Sequence, residues 1–261
     1  MTDEGEERLL GGHVGGAVRV GGTVRRPVGP WTPAVHALLA HLAPRLPHVP
    51  EVLGFDDRGR EVLTYLPGRV IDVRTEALTL AQLAALAAWT RAFHAAVAGF
   101  AHPGPWRYPP LAGPTLIGHN DLAPWNACFH GAALAGVFDW DLAGPSAPLQ
   151  ELAFLAWTGV PLWHDLDPAA AAQRLAAIAD GYGDGALTPR RILRAVPGRL
   201  RAMFDGFPVA GAAGDAGLAR LATPAWRERS SATLAALVAR MPAIDRLLAE
   251  RPEVDGAWAR R

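Results

Sequence analysis

The chain has 261 residues, half of them apolar, and its 25 basic and 25 acidic side chains balance to zero net charge. That length and composition suit one large domain or two small lobes around a real core, and exclude a disordered or fibrous protein. Zero net charge leaves no electrostatic footprint for nucleic acid or an anionic membrane, and the lone Cys128 permits no internal disulfide and fits a reducing cytosol.

The acidic start, residues 1–12, holds no long apolar run. Neither a secretory signal nor a membrane anchor is expected there, which places the chain in the cytoplasm. Residues 8–27 combine short β-type segments with glycine pairs at 11–12, 15–16 and 21–22. Such pairs favour tight hairpin turns and close approach of backbone to a ligand, with His13 and Val14 at the tip. The strand from Gly22 to Arg26 carries adjacent Arg25 and Arg26, only one of which can face a given side.

A helix is predicted next, with Thr32 as N-cap, Pro33 at the first helical position, and Val35, Leu38, Leu39 and Leu42 as its apolar stripe. His36 on this helix reads as a satisfied histidine. Strands follow at Glu51 to Phe55 and Glu61 to Tyr65, joined by a polar turn at 56–59; the second runs into Thr64, Tyr65, Leu66, Pro67 and Gly68. From Leu80 to Phe100 the chain is helical, with Leu83, Leu86, Trp89 or Thr90, Phe93 and Val97 along one face and His94 packed beside it. Prolines make 102–114 a loop.

Residues 116–148 carry the chemistry. A strand enters the polar loop His119, Asn120, Asp121, Leu122, Ala123, Pro124, Trp125, Asn126; a hairpin follows, Ala127 to Phe129 and Leu134 to Phe138, and delivers Asp139, Trp140 and Asp141. Apolar strands that end in carboxylates need an offsetting charge, and a divalent metal is the usual one. The spacing H-x-D-x-x-x-x-N, then a strand and an Asp, matches the protein-kinase layout, where one Asp accepts the substrate hydroxyl proton while the Asn and the later Asp hold magnesium. Beyond Pro148, further helices are expected from 149 to 163 and 168 to 182, the second ended by Gly181 and Gly183. Another is capped by Thr188 and Pro189, and the last run through 226–252.

HNDLAPWN followed by VFDWDLAGPSAPLQELA resembles the aminoglycoside phosphotransferase and choline kinase family, small-molecule relatives of the protein kinases. The resemblance implies an α+β, two-lobed protein-kinase-like fold, with a β-rich nucleotide-binding lobe at 1–66 and a mainly helical catalytic and substrate-binding lobe at 67–261. It implies ATP (or GTP) and Mg²⁺ as cofactors. Asp121 would be the catalytic base, with His119 in the same catalytic loop, and Asn126 and Asp139 the metal ligands. Gly12, His13 and Gly15 would lie over the phosphates, and backbone groups at Thr64 and Leu66 would read the adenine edge. All basic residues here are Arg, so Arg25 is expected where the family carries a phosphate-contacting lysine. The helix that should supply the lysine's partner Glu has no acid, and His36 stands nearest.

The implied partners are a nucleoside triphosphate and a small-molecule hydroxyl acceptor of the aminoglycoside, amino alcohol or sugar class. No nucleic acid or membrane is expected, and the protein would be a monomer or dimer. A polycationic acceptor would want an acidic pocket, whereas the acids of the helical half are scattered among Arg. Two other classes stay open: a catalytically weak nucleotide-binding protein, given the missing Lys–Glu pair, and a metal-dependent phosphohydrolase with His119, Asp121 and Asp139 as ligands.

Overall fold

The computed structural model describes residues 5–9 and 16–250. Gly12, His13 and Gly15 lie outside the described residues.

The N-terminal part is an antiparallel sheet of β1 (Glu7–Arg8), β2 (Val18–Val20), β3 (Thr23–Arg26), β4 (Val52–Phe55) and β5 (Glu61–Thr64), in the order β1-β2-β3-β5-β4. Helix α1 (Thr32–Leu42) connects β3 to β4, and its expected stripe of Val35, Leu38, Leu39 and Leu42 is buried. Its first turn departs from the sequence reading. Trp31 occupies the N-cap position, and the Thr32 hydroxyl accepts from Gly29 N at 2.9 Å, closing the entering turn instead of capping the helix.

The larger part begins with α2 (Leu80–Ala96), whose start is a reciprocal Thr79–Gln82 capping box. Leu83, Leu86, Trp89, Thr90, Phe93 and the following Val97 are all buried, as the periodicity required. Two small sheets follow: β6 (Leu116–Gly118) pairs with β9 (Gly144–Ser146), and β7 (Ala127–His130) forms a hairpin with β8 (Ala133–Val137). Helices α3 (Pro148–Gly159), α4 (Pro168–Tyr182), α5 (Pro189–Ala212), α6 (Ala216–Leu221) and α7 (Pro224–Ala249) complete the fold.

Helix α4 does not end at Gly181 but runs through it to Tyr182, and Gly183 closes it in the left-handed region at φ 72°. The reason is close approach: a Cβ at Gly181 would sit 2.6 Å from Ala84 O on α2. Helix α5 runs to Ala212, with Pro197 and Pro208 inside it, and the short α6 was not expected. Among the described residues no helix is long and apolar enough to cross a membrane.

Candidate active site

The loop after β6 is set by its backbone. A Cβ at Gly118 would fall 2.7 Å from Ser146 Cβ and 2.8 Å from Glu151 Cδ, so only glycine lets β6 lie this close to α3. Glu151, in the first turn of α3 and 1% exposed, accepts from the amides of His119 (2.8 Å) and Asn120 (2.9 Å). Burial pushes its carboxyl up, against those two hydrogen bonds. Asn120 is held left-handed at φ 63° while its Nδ2 donates to Leu142 O (3.1 Å) and Gly144 O (3.3 Å). The loop at 119–126 and the Asp139 loop are thereby tied together, and the strained backbone is over-determined by its neighbours.

His119 is fully buried and packs on the Trp140 ring at 4.6 Å between centroids. Its Nε2 donates to Phe138 O (3.1 Å) and its Nδ1 accepts from Asp121 N (3.3 Å), which fixes one neutral tautomer. Burial pulls its pKa down to about 4. Both nitrogens are occupied, so this side chain braces the loop and offers no ligand to a metal.

Asp121 and Asn126 meet directly: Asn126 Nδ2 donates to Asp121 Oδ2 (2.8 Å) and to Asp121 O (2.9 Å). Desolvation, with the Asp139 carboxylate nearby, pushes the Asp121 carboxyl up to about 7. Asp139 sits left-handed at φ 61° and ψ 65°, heading a single 3₁₀ turn at Trp140–Leu142. Asp tolerates that conformation better than most residues.

The register of the two arginines corrects the sequence reading. Alternation holds, but Arg26 turns to the Asp139 loop and Arg25 turns away, its Nε 3.8 Å from Asp56 Oδ2. Arg26 Nη1 lies 3.2 Å from Asp139 Oδ1, Nη2 bonds Asp141 Oδ1, and Nε lies 3.2 Å from Glu61 Oε1. Glu61 faces Arg26 across the β3–β5 ladder and also meets His36 Nε2 at 2.8 Å. The acid missing from α1 therefore comes from β5. Placement before Pro27 did not decide the face; the ladder partner does.

From Asp141 the ladder continues into the helical part. Arg107 Nη1 reaches Asp141 Oδ2 at 3.0 Å, its other nitrogens grip Asp215 at 2.6 and 3.1 Å, and its guanidinium stacks on Trp31 at 4.2 Å. Asp215 in turn caps α6. Four carboxylates (Glu61, Asp139, Asp141, Asp215) face two guanidiniums here, leaving two negative charges.

That excess, and the all-oxygen donors, fit a divalent magnesium ion. With Asn126 Nδ2 committed to Asp121, its Oδ1 is the free end, and the Asp139 side chain is 37% exposed. Among the described residues no cluster of three or more His, Cys, Asp or Glu side chains could hold a metal unaided. Mg²⁺ suits such a sparse set, because it keeps waters and substrate phosphate among its ligands.

At the expected hinge, Thr64 is occupied within the sheet: its amide donates to Glu51 O (3.0 Å) and its hydroxyl accepts from Glu51 N (2.8 Å). Those groups are thus not free to read a base. Leu66 packs over Gly136 of the hairpin, where a Cβ would fall 2.7 Å from Leu66 Cβ, and its carbonyl accepts from Cys128 Sγ at 3.6 Å.

A β-rich part, a helical part and an Asp–Asn–Asp constellation between apolar strands define a protein of the kinase-like class. The pattern of the phosphotransferase enzyme family (APH) matches residues 30–110 and 105–193, and the chain belongs to that family; it is a small-molecule kinase. It is 31% identical over 208 residues to the trifolitoxin immunity protein of Rhizobium leguminosarum bv. trifolii, covering 76% of this chain and 72% of that one. Its fold is similar to amicoumacin kinase hAmiN in complex with AMP-PNP, Ca²⁺ and Ami (TM-score 0.59, 14% identity, 99% of this chain and 93% of that one). It is also similar to a choline/ethanolamine kinase family protein from Mesorhizobium loti (TM-score 0.58, 19% identity, 94% and 91%) and to the GDP complex of aminoglycoside 2'-phosphotransferase-IIIa (TM-score 0.58, 15% identity, 90% and 92%).

Proposed function

We propose that the protein transfers the γ-phosphoryl group of ATP or GTP to a hydroxyl of a small molecule, with Asp121 as the base. The observation that carries this reading is Asp121 itself: a carboxyl pushed up to about 7, held by Asn126 and facing the Asp139 loop. A base poised near neutrality can orient the acceptor hydroxyl and take its proton as the acceptor oxygen bonds to the γ-phosphorus and the bond to the nucleoside diphosphate breaks. Asn126 and Asp139 would hold Mg²⁺, which when bound neutralises phosphate charge. Arg26 would grip phosphate oxygens, oriented by Glu61. Positioning and charge neutralisation then carry the rate.

We place the boundary between the nucleotide lobe and the acceptor lobe at residue 66, and the protein in the cytoplasm as a monomer or dimer. The acceptor would come from the aminoglycosides, amino alcohols or sugars. Its 31% identical relative, the trifolitoxin immunity protein, supports a toxin as the acceptor. The phosphohydrolase alternative loses its imidazole ligand, since both His119 nitrogens are engaged. The weak nucleotide-binding alternative keeps one point in favour: Arg26 is already paired with both Asp139 and Asp141. Mg-ATP-dependent ADP release stimulated by an acceptor, compared with an Asp121 variant, tests the proposal.

A further inference from the structure

Arg107 belongs to the loop between α2 and β6, yet its side chain is 3% exposed and each of its three nitrogens meets a carboxylate oxygen. The loop reaches its place by other means. Leu111 N donates to Pro145 O (3.0 Å), Thr115 N donates to Ser146 O (2.8 Å), and a Cβ on Gly144 would fall 3.3 Å from Trp106 Cβ. Backbone pairing and packing thus lay this loop along the segment that follows Asp139, and leave the Arg107 guanidinium to act on what it touches.

What it touches is Asp141, whose two oxygens are divided between two guanidiniums. Oδ1 accepts from Arg26 Nη2 on β3, and Oδ2 accepts from Arg107 Nη1 at 3.0 Å. The Trp31 indole also donates to Asp141, and the Arg107 guanidinium lies over that same residue's ring at 4.2 Å. On its other side Arg107 is fixed by two bonds to Asp215, at 2.6 and 3.1 Å, and Asp215 accepts from the Gly217 (2.9 Å) and Leu218 (3.0 Å) amides. An unbroken line from Asp215 through Arg107 and Asp141 to Arg26 thus joins the start of α6 to β3. A planar fork with donors on two edges holds two carboxylates at once, which a single ammonium cannot do in the same geometry.

We propose that Arg107 is a positioning residue for the nucleotide: acting through Asp141, it fixes the direction of the Arg26 guanidinium. The proposal rests on the reading that Arg26 grips phosphate oxygens. Three carboxylates set Arg26, and two of them are themselves held, Glu61 by His36 at 2.8 Å and Asp141 by Arg107. Without Arg107, Asp141 loses the partner that holds its Oδ2; the carboxylate can then turn and carry Arg26 Nη2 with it, away from the phosphates. The loop at 119–126 keeps its own support, because Glu151 accepts from the His119 and Asn120 amides. Loss of Arg107 therefore lowers nucleotide affinity, and does so only where Arg26 is present to be misdirected.

The test is a double-mutant cycle read by calorimetric titration of the full chain with Mg-ATP. Arg107→Gln should weaken binding by about tenfold, the size of one lost charge-assisted hydrogen bond. In the Arg26→Lys background the same substitution should change binding by less than about twofold, because the guanidinium that Arg107 directs is gone. Arg107→Lys, which keeps the charge and serves if Arg107→Gln does not fold, should show the same dependence on Arg26. Equal losses in both backgrounds, or no loss in either, overturn the proposal, since a purely structural Arg107 weakens binding whatever residue stands at position 26. Failure of the underlying reading shows separately, as an Arg26→Lys chain that binds Mg-ATP as tightly as the unaltered one.

Discussion

Arg26 and Glu61 face each other across the β3–β5 ladder, with Nε and Oε1 3.2 Å apart, and the same guanidinium holds Asp139 and Asp141. Strand β3 and the Asp139 loop are joined through this one side chain. The charges of Asp141, Asp139 and Glu61 more than offset burial and raise its pKa, so it stays a cation at every working pH.

Replacing Arg26 by Ala should therefore act twice. It leaves the buried Glu61 with His36 and Asp141 with Arg107 as their remaining partners, and should destabilise the fold by about 2 kcal/mol. It should also raise the KM for ATP by about tenfold or more, whereas Arg25→Ala, on the other face, should leave KM within about twofold. Denaturant unfolding and initial-rate kinetics on the two variants check this.

Glu151→Gln tests whether the catalytic loop is pre-organised by its carboxylate. The change removes one acceptor from two buried amides, those of His119 and Asn120, at about 1–3 kcal/mol. We expect kcat to fall about tenfold or more while the KM for ATP stays near its original value, because Glu151 supports the loop and touches no nucleotide group.

Acid should weaken the fold through its buried histidines. His94, hydrogen-bonded through Nδ1 to Tyr182 OH at 2.9 Å, is held by burial at a pKa of about 4 against an ordinary 6.5. The unfolded chain takes up a proton there before the folded chain does, so this stability is complete above 6.5 and is lost as pH falls toward about 4. The amount is up to about 3 kcal/mol for this residue, with His119 acting in the same sense. Unfolding curves at pH about 7.5 and about 4.5 should show that loss, and His94→Gln should make the difference smaller.

The rate should follow the ionisation of Asp121. As a base it must be unprotonated, and its folded value lies at about 7. Accordingly kcat/KM should climb as pH rises through about 7 and level off above it. A profile already flat from about pH 5 upward would show that another group, or none, takes the proton.

Much of this was legible in the sequence because it is local. The α1 and α2 stripes, the β7–β8 hairpin and the order His119, Asp121, Asn126, Asp139 all follow from spacing and propensity. What stayed hidden depends on pairing between distant segments. Glu61 opens a strand after a polar turn and would ordinarily be solvated; only its register with Arg26 buries it. Arg107 sits in a proline-rich loop, and Arg199 on a helix whose arginines look like surface, until tertiary contacts bring them to Asp141 and Asn120. Residues 30–110 and 105–193 match the family, but no family spacing marks those partners.

The central claim is that Asp121 takes the acceptor's proton in an ATP-dependent transfer. Its most direct test is ADP release from Mg-ATP by the purified protein, offered aminoglycosides, amino alcohols and sugars, with Asp121→Asn beside the unaltered chain. The account predicts that at least one acceptor stimulates release and that Asp121→Asn abolishes the stimulation by about 100-fold or more while binding ATP with little change. Full acceptor-stimulated release by Asp121→Asn would contradict it.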